Sequence, residues 1–278
     1  MAKSLKMQNR HILSHVVMII WCIIVLFPLW VLVINSFKTR LTIYTNPFWI
    51  PEKWNFSNYS TVLRDGDFLN YFKNSFIVVV LSLLLVLISA SLASYALASW
   101  KGRISKIVFL FIISGMMLPI KIASIKLLEI VRSLGLLNTI WSLLPIYVAM
   151  GIPIGVFILT EFIREIPHEL IEAGLIDGAG RFHIFVTVIV PLIRPALATV
   201  AIYNLVPFWN DLWFPLIFIN DEKSKTLLLG VTRLFGQYQT DWSKVLAVLT
   251  LSAVPVLALY LSMSKQFIKG ATAGAVKG

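Results

Sequence analysis

The pattern of hydrophobic and polar positions is a series of long apolar runs separated by short polar segments. Runs free of charged residues cover Val16 to Ile34, Ser75 to Trp100, Ser133 to Thr160 and Val245 to Ser264. Crossing about 30 Å of hydrocarbon takes about 20 residues at helical rise, and each run is of that order. A further run, Pro195 to Asn220, is interrupted only by Asp211, and Ile107 to Ile120 is short unless it continues through Lys121 and Lys126. An open sheet would leave backbone polar groups unpaired in lipid, so the pattern predicts an all-α integral membrane protein with six transmembrane helices. The spans are expected near 14–35, 74–100, 106–130, 139–160, 188–219 and 244–265. They form one membrane domain over residues 1–278, with a polar loop at 161–187 and a tail at 266–278.

Composition agrees with that reading. Of 278 residues, 58% are hydrophobic and 13% charged, well below the roughly 25% charged content of a soluble domain. The basic opening "MAKSLKMQNRH" resembles the start of a secretory signal, but the apolar run behind it is too long and lacks a small-residue cleavage site. A retained first helix is expected instead. The single cysteine, Cys22, lies inside that helix, so no intrachain disulfide can form. His11, His15, His168 and His183 share no metal-ligand spacing.

Charge decides orientation only narrowly. Lys and Arg total 11 in 1–15, 100–106, 161–187 and 265–278, against 12 in 37–73, 119–138 and 220–244. The N-terminal run and the dense short loop "WKGRISK" place the first set, with both termini, in the cytoplasm. The opposite face is then unusually basic. Its first loop, residues 37–73, mixes Trp, Tyr and Phe with Pro, Asn and Asp, and is expected to be ordered and to rest on the membrane interface. Prolines within the runs, among them Pro119, Pro153, Pro191, Pro207 and Pro215, predict kinked or broken helices.

The polar segment "IPHELIEAGLIDGAGRFHIFVTVIVP" stands out between the fourth and fifth runs. Pro167 and Glu169 mark a short helix start, Gly178 and Gly180 break that helix, and a second helix runs toward Pro191. Ala173, Gly174, Gly178 and Ala179 leave a surface bare enough for close approach of another protein, while Glu172 and Asp177 offer it carboxylates. A phosphate loop would need Gly-Lys-Ser/Thr here, and Arg181-Phe182-His183 follows instead. A dinucleotide fingerprint would need a third glycine where His183 stands. The alternative is a plain amphipathic connector lying on the membrane.

The segment resembles the EAA loop of permease subunits of binding-protein-dependent ABC importers. Glu172-Ala173-Gly174 is followed after three residues by Gly178, then after nine by Val188-Ile189-Val190-Pro191, at the family's spacing. Gly174, Val188 and Val190 replace Ala, Ile and Leu of the pattern. "LGLLNT" at Leu134 to Thr139, "FWNDLWFPLIF" in the fifth run and the terminus "ATAGAVKG" resemble the carbohydrate branch, in particular the second permease of maltose-type systems.

The resemblance implies a type I ABC importer permease in the bacterial inner membrane. It would pair with a second permease and receive a sugar from an extracytoplasmic binding protein. Two ATPase subunits would dock on the loop and bind ATP and Mg²⁺, so this chain carries no cofactor and is no enzyme. Nucleic acid has no place in such a system. Glu172, Ala173, Gly174, Asp177, Gly178 and Ala179 become the coupling residues, and the tail Thr272, Ala273, Gly274, Ala275, Val276, Lys277 and Gly278 is expected to reach the ATPases. Candidate pathway residues are Asn204, Trp209, Asn210 and Asp211 in the fifth span, ionisable or polar groups that lipid does not accept; the alternative is that Asn210 and Asp211 satisfy backbone groups freed by Pro207 and Pro215. Lys121 and Lys126 either snorkel to the outer interface as anchors or line the outward mouth. A lone secondary transporter would show repeated spans and an intramembrane relay. A membrane enzyme would show clustered catalytic groups. Neither pattern is present.

Overall fold

The computed structural model describes residues 2–65, 67–100, 102–235 and 240–273. It is built from helices: α1 (Ala2–Ser36), α2 (Arg40–Thr45), α3 (Ser57–Asp65), α4 (Phe68–Ser99), α5 (Arg103–Ser114), α6 (Ser124–Ser133), α7 (Leu144–Arg164), α8 (His168–Ile176), α9 (Arg181–Ile184), a π-helical turn (Phe185–Ile189), α10 (Val190–Leu192), α11 (Arg194–Trp209), α12 (Trp213–Phe218), α13 (Leu227–Val231) and α14 (Trp242–Ala273). Among the described residues the β structure is one isolated bridge, Phe235 with Thr240. Helices at Ile12–Ser36, Phe68–Ser99, Ile140–Arg164 and Trp242–Ser262 are long and apolar enough to cross a membrane. Two bent pairs, each counted as one span, raise the number to six.

The bent pairs break within the spans expected at 106–130 and 188–219, at points that Pro119 and Pro191 mark. Arg103–Met117 meets Ile120–Ser133 at 79°, so the helix does not run on to carry Lys121 and Lys126 along one axis. Pro119 lies in the break with φ −72° and ψ 91°; it has no N–H for the helical ladder, and its ring disfavours a helical residue before it. Arg181–Leu192 meets Arg194–Trp209 at 74°, with Pro191 and Pro195 flanking Ile193.

Packing divides the chain into two compact units, Met1–Phe68 with Val231–Ala253, and Leu69–Gly230 with Val254–Gly278. In the first, a polar interior closes the loop after α1. The Lys38 ammonium donates to Asn35 Oδ1 at 2.9 Å and to the Asn46 carbonyl at 2.7 Å. Asn58 Nδ2 donates to the carbonyls of Ser36 and Lys38 at 2.8 and 2.9 Å. Phe37 packs against Trp54, Phe56 and Tyr59 at 5.1, 5.3 and 4.9 Å between centroids. Phe48, Trp49 and Trp54 remain exposed, as a segment suited to the interface would leave them.

The second unit is centred on α7, where Ile146, Tyr147, Gly151, Gly155, Val156, Leu159, Thr160 and Ile163 are buried. Small residues allow that burial. A Cβ at Gly151 would stand 2.6 Å from Val86 Cγ2, and one at Gly155 would stand 2.8 Å from Ala90 Cβ, so α4 approaches α7 at glycines four residues apart. Lipid tails are as apolar as the helices, so close backbone approach of this kind supplies the dispersion that holds spans together. Asn204 and Val200 of α11 flank the same glycines.

Candidate functional site

α8 and the turn after it form a projecting knob. Pro167 precedes the helix with φ −55°, and Glu169 stands in its first turn, where a carboxylate favours the helix dipole. At the other end Ala179 N–H donates to the Gly174 carbonyl at 3.0 Å and Gly178 N–H to that of Leu175 at 3.1 Å. This pair of bonds is the Schellman stop, which requires a left-handed residue just past the helix. Gly178 supplies it with φ +79°.

The glycines of the segment therefore differ in role. Gly178 is needed for its backbone angle, and open space surrounds the position its Cβ would take. Gly174 faces inward, where a Cβ would meet Ile184 Cγ1 at 3.1 Å, so its small size lets α8 lie on α9. Ala173, Glu172 and Asp177 are exposed and Ala179 half-buried. None of the α8 residues is buried. Leu170 and Leu175 are nearly half exposed, Phe182 is largely exposed, and Ile176 is 86% exposed. Sequence reasoning singled out the small and acidic residues and missed these aliphatic ones, although "LI" at 175–176 was the signal.

A second set of candidates gathers around the break between α11 and α12. Tyr147 Oη of α7 donates to Asp211 Oδ2 at 3.0 Å, and Trp213 N–H donates to Asp211 Oδ1 at 3.0 Å. The Trp213 indole N–H donates to Ser124 Oγ at 2.9 Å. The Lys121 ammonium lies over the same indole, 5.6 Å from its centroid. Asp211 thus both caps the backbone of α12 and ties α7 to it, which satisfies the polar groups a membrane interior would penalise. Asn204 is buried and donates to the Val200 carbonyl at 2.9 Å. Trp209 is buried edge-on to Phe72 at 5.7 Å. Asn210 is exposed.

The two lysines separate. Lys121 joins this cluster, whereas Lys126 pairs with Glu129 at 2.7 Å, both side chains well exposed. An exposed pair of that kind contributes about 0–1 kcal/mol and cancels the local charge. Tyr147, Ser124 and Trp213 were not anticipated; a lone tyrosine in an otherwise apolar run was the available signal for the first. Of the tail, Thr272 and Ala273 continue α14, and Gly274, Ala275, Val276, Lys277 and Gly278 lie outside the described residues.

"LGLLNT" has a structural role near the same cluster. Gly135, φ +70°, ends α6 with the same stop as Gly178, through bonds from Leu136 N–H to the Val131 carbonyl and from Gly135 N–H to that of Arg132, both 3.0 Å. Asn138 then donates its N–H to the Phe218 carbonyl and accepts from Asn220 N–H through Oδ1, both at 2.9 Å.

A membrane unit with an exposed helical knob between spans matches a known family. Residues 86–267 fit the model of the "binding-protein-dependent transport system inner membrane component", and the chain belongs to that family. It is therefore a multi-pass subunit of the inner membrane that forms the translocating part of a binding-protein-dependent transporter. It is 38% identical over 260 residues to a putative ABC transporter permease protein, ORF2, of Caldicellulosiruptor sp. (strain Rt8B.4), covering 93% of this chain and 94% of that one. It is 35% identical to the melibiose/raffinose/stachyose import permease protein MelC of Bacillus subtilis (strain 168), covering 90% and 91%. The fold matches that of a bacterial ABC transporter involved in import of the acidic polysaccharide alginate, with TM-score 0.80 at 22% identity over 94% of this chain and 97% of that one.

Proposed function

We propose that this permease, with a second and different permease, forms the pathway through which a sugar or oligosaccharide enters the cell, and that it performs no chemistry of its own. An extracytoplasmic binding protein delivers the sugar, and ATP with Mg²⁺ is bound and hydrolysed by two cytoplasmic ATPase subunits. Residues Glu172 to Ala179 transmit that hydrolysis, and the tail from Thr272 adds a second contact with the ATPases.

The observation that carries this reading is the knob: a nine-residue helix, α8, with no buried residue, stopped by Gly178 and tipped by Ile176. A helix of that length is marginal alone, and exposed aliphatic residues at its tip are what a cleft on a partner would cover. At the other cluster, Trp213 presents an aromatic face, Asp211 a carboxylate and Lys121 an ammonium. An apolar wall with a few oriented polar groups is the usual make-up of a small-molecule site, and it suits a sugar's C–H face and hydroxyls.

The test is purification of the tagged chain from solubilised membranes, followed by uptake of melibiose, raffinose and related oligosaccharides in cells with and without the gene. Co-purification of an ATPase and a second permease, with loss of uptake of one sugar on deletion, is expected. A chain that purifies alone and a deletion that leaves every sugar uptake intact refute the reading.

A further inference from the structure

We infer that the groove where α4, α5, α7 and α8 meet binds the headgroup of an anionic phospholipid from the cytoplasmic leaflet. The groove, about 420 Å³, is lined at its mouth by Trp100, Lys106, Arg164 and His168 and inside by apolar residues including Phe109 and Leu110. No carboxylate is among the described lining residues. Ser105 Oγ donates to the Leu97 carbonyl at 2.7 Å, which fixes the start of α5 against the end of α4 and holds the mouth in shape.

The basic groups are placed for an anion. Arg164 stacks over Phe109 at 4.9 Å and donates through one nitrogen to Glu161 at 2.7 Å, so its guanidinium is pinned at the wall with further donors remaining. Among the described residues Lys106 and His168 have no side-chain hydrogen bond or ion pair, and Lys106 is exposed. Glu165, Glu169 and Glu172 lie on the adjacent chain but outside the lining, and Glu172 lines the neighbouring groove with Arg181 instead.

A lipid fits better than a soluble phosphate because the groove is amphipathic. Its inner wall is apolar, and Leu110, which lines it from α5, is 55% exposed, a place for an acyl chain to start. Trp100 at the mouth is 63% exposed, and tryptophan favours the headgroup level. Basic pockets between spans on the cytoplasmic side are suited to anionic headgroups. Cytoplasmic placement rests on the coupling role proposed above for α8, which supplies His168 and Ile171 to the groove.

The experiment uses the intact transporter complex in nanodiscs of phosphatidylcholine carrying increasing phosphatidylglycerol, with the thermal midpoint as readout. A saturable rise with phosphatidylglycerol is expected. Lys106→Gln should need about five-fold more of the anionic lipid for half the rise, the effect of one basic residue near a membrane surface. Lys106→Arg should restore the wild-type titration, and Lys126→Gln, at a charge already paired with Glu129, should leave it unchanged. Inorganic phosphate added to pure phosphatidylcholine nanodiscs should have no effect. Identical titrations for wild type and Lys106→Gln overturn the inference, as does a rise reproduced by phosphate alone, which would mark a soluble-anion site.

Discussion

Two of the loops that join spans in this chain are stabilised in opposite ways. The loop after α1 closes on itself through side chains: Asn35, Lys38 and Asn58 bond to carbonyls across it, and its aromatics pack around Phe37. The loop between α7 and α11 closes through backbone. α8 has no buried residue, and its stop at Gly178 uses main-chain bonds alone. Removing a partner should therefore matter little to the first loop and a great deal to the second. A loop that completes its own bonds is a scaffold, its exposed Trp49 and Trp54 left to the membrane interface, and one that carries Ile176 and Phe182 bare at a projecting knob is half of an interface.

The largest effect that could break this contrast is at Ile176. Ile176→Asp should weaken association with the ATPase subunits by about thirty-fold, the scale of a hot-spot loss near 2 kcal/mol, and leave the chain's own thermal midpoint unchanged. Quantitative co-purification checks the first and a melting curve the second. A lowered midpoint with intact association would mean that α8 is packed within this chain after all.

The mirror experiment is Asn58→Ala. It leaves the Ser36 and Lys38 carbonyls without their buried donor, a loss of about 1–3 kcal/mol. The complex should melt lower while ATPase association and coupling persist. Loss of coupling in this variant would erase the distinction between the loops.

Smaller still is the comparison of the two stops. Gly178→Ala and Gly135→Ala should each cost about 1 kcal/mol, because both positions are left-handed, at φ +79° and +70°. Only the first should also lower the number of sugars moved per ATP hydrolysed. Gly178→Asn, which tolerates that backbone angle, should recover most of the loss. Equal transport defects at both positions would show that general stability, and not the knob, sets coupling.

These particulars also show what a sequence carries. The apolar runs located the spans because lipid imposes one requirement on every residue of a run. Pro167, Glu169 and Gly178 located α8 and its stop because capping is local. The bends of 79° and 74° were not legible: a proline marks a break, but packing around it sets the angle. Gly151 and Gly155 stand four apart in plain view, yet their meaning lies in Val86 and Ala90 on another helix. Asp211 was legible as a polar residue in a span, whereas its partner Tyr147 is 64 positions away in sequence.

Lys38 was the least legible position and gives the finest test of the self-contained loop. In "SFKTRL" it reads as an interfacial charge, but it is 1% exposed, and burial lowers its pKa below the usual 10.5. The sign follows from proton counts. Above the folded pKa and below 10.5, the folded chain is neutral at Lys38 while the unfolded chain still holds the proton. Stability should therefore rise with pH through that window, since the unfolded state binds more protons. Melting of wild type and Lys38→Met across the alkaline range isolates the effect. The variant should lack this rise, and it should be about 1 kcal/mol less stable than wild type at the top of the window, where the neutral amine still donates to Asn35 and Asn46. Parallel curves for the two proteins would mean that Lys38 keeps its charge in contact with water, and the first loop would then be no more closed than the second.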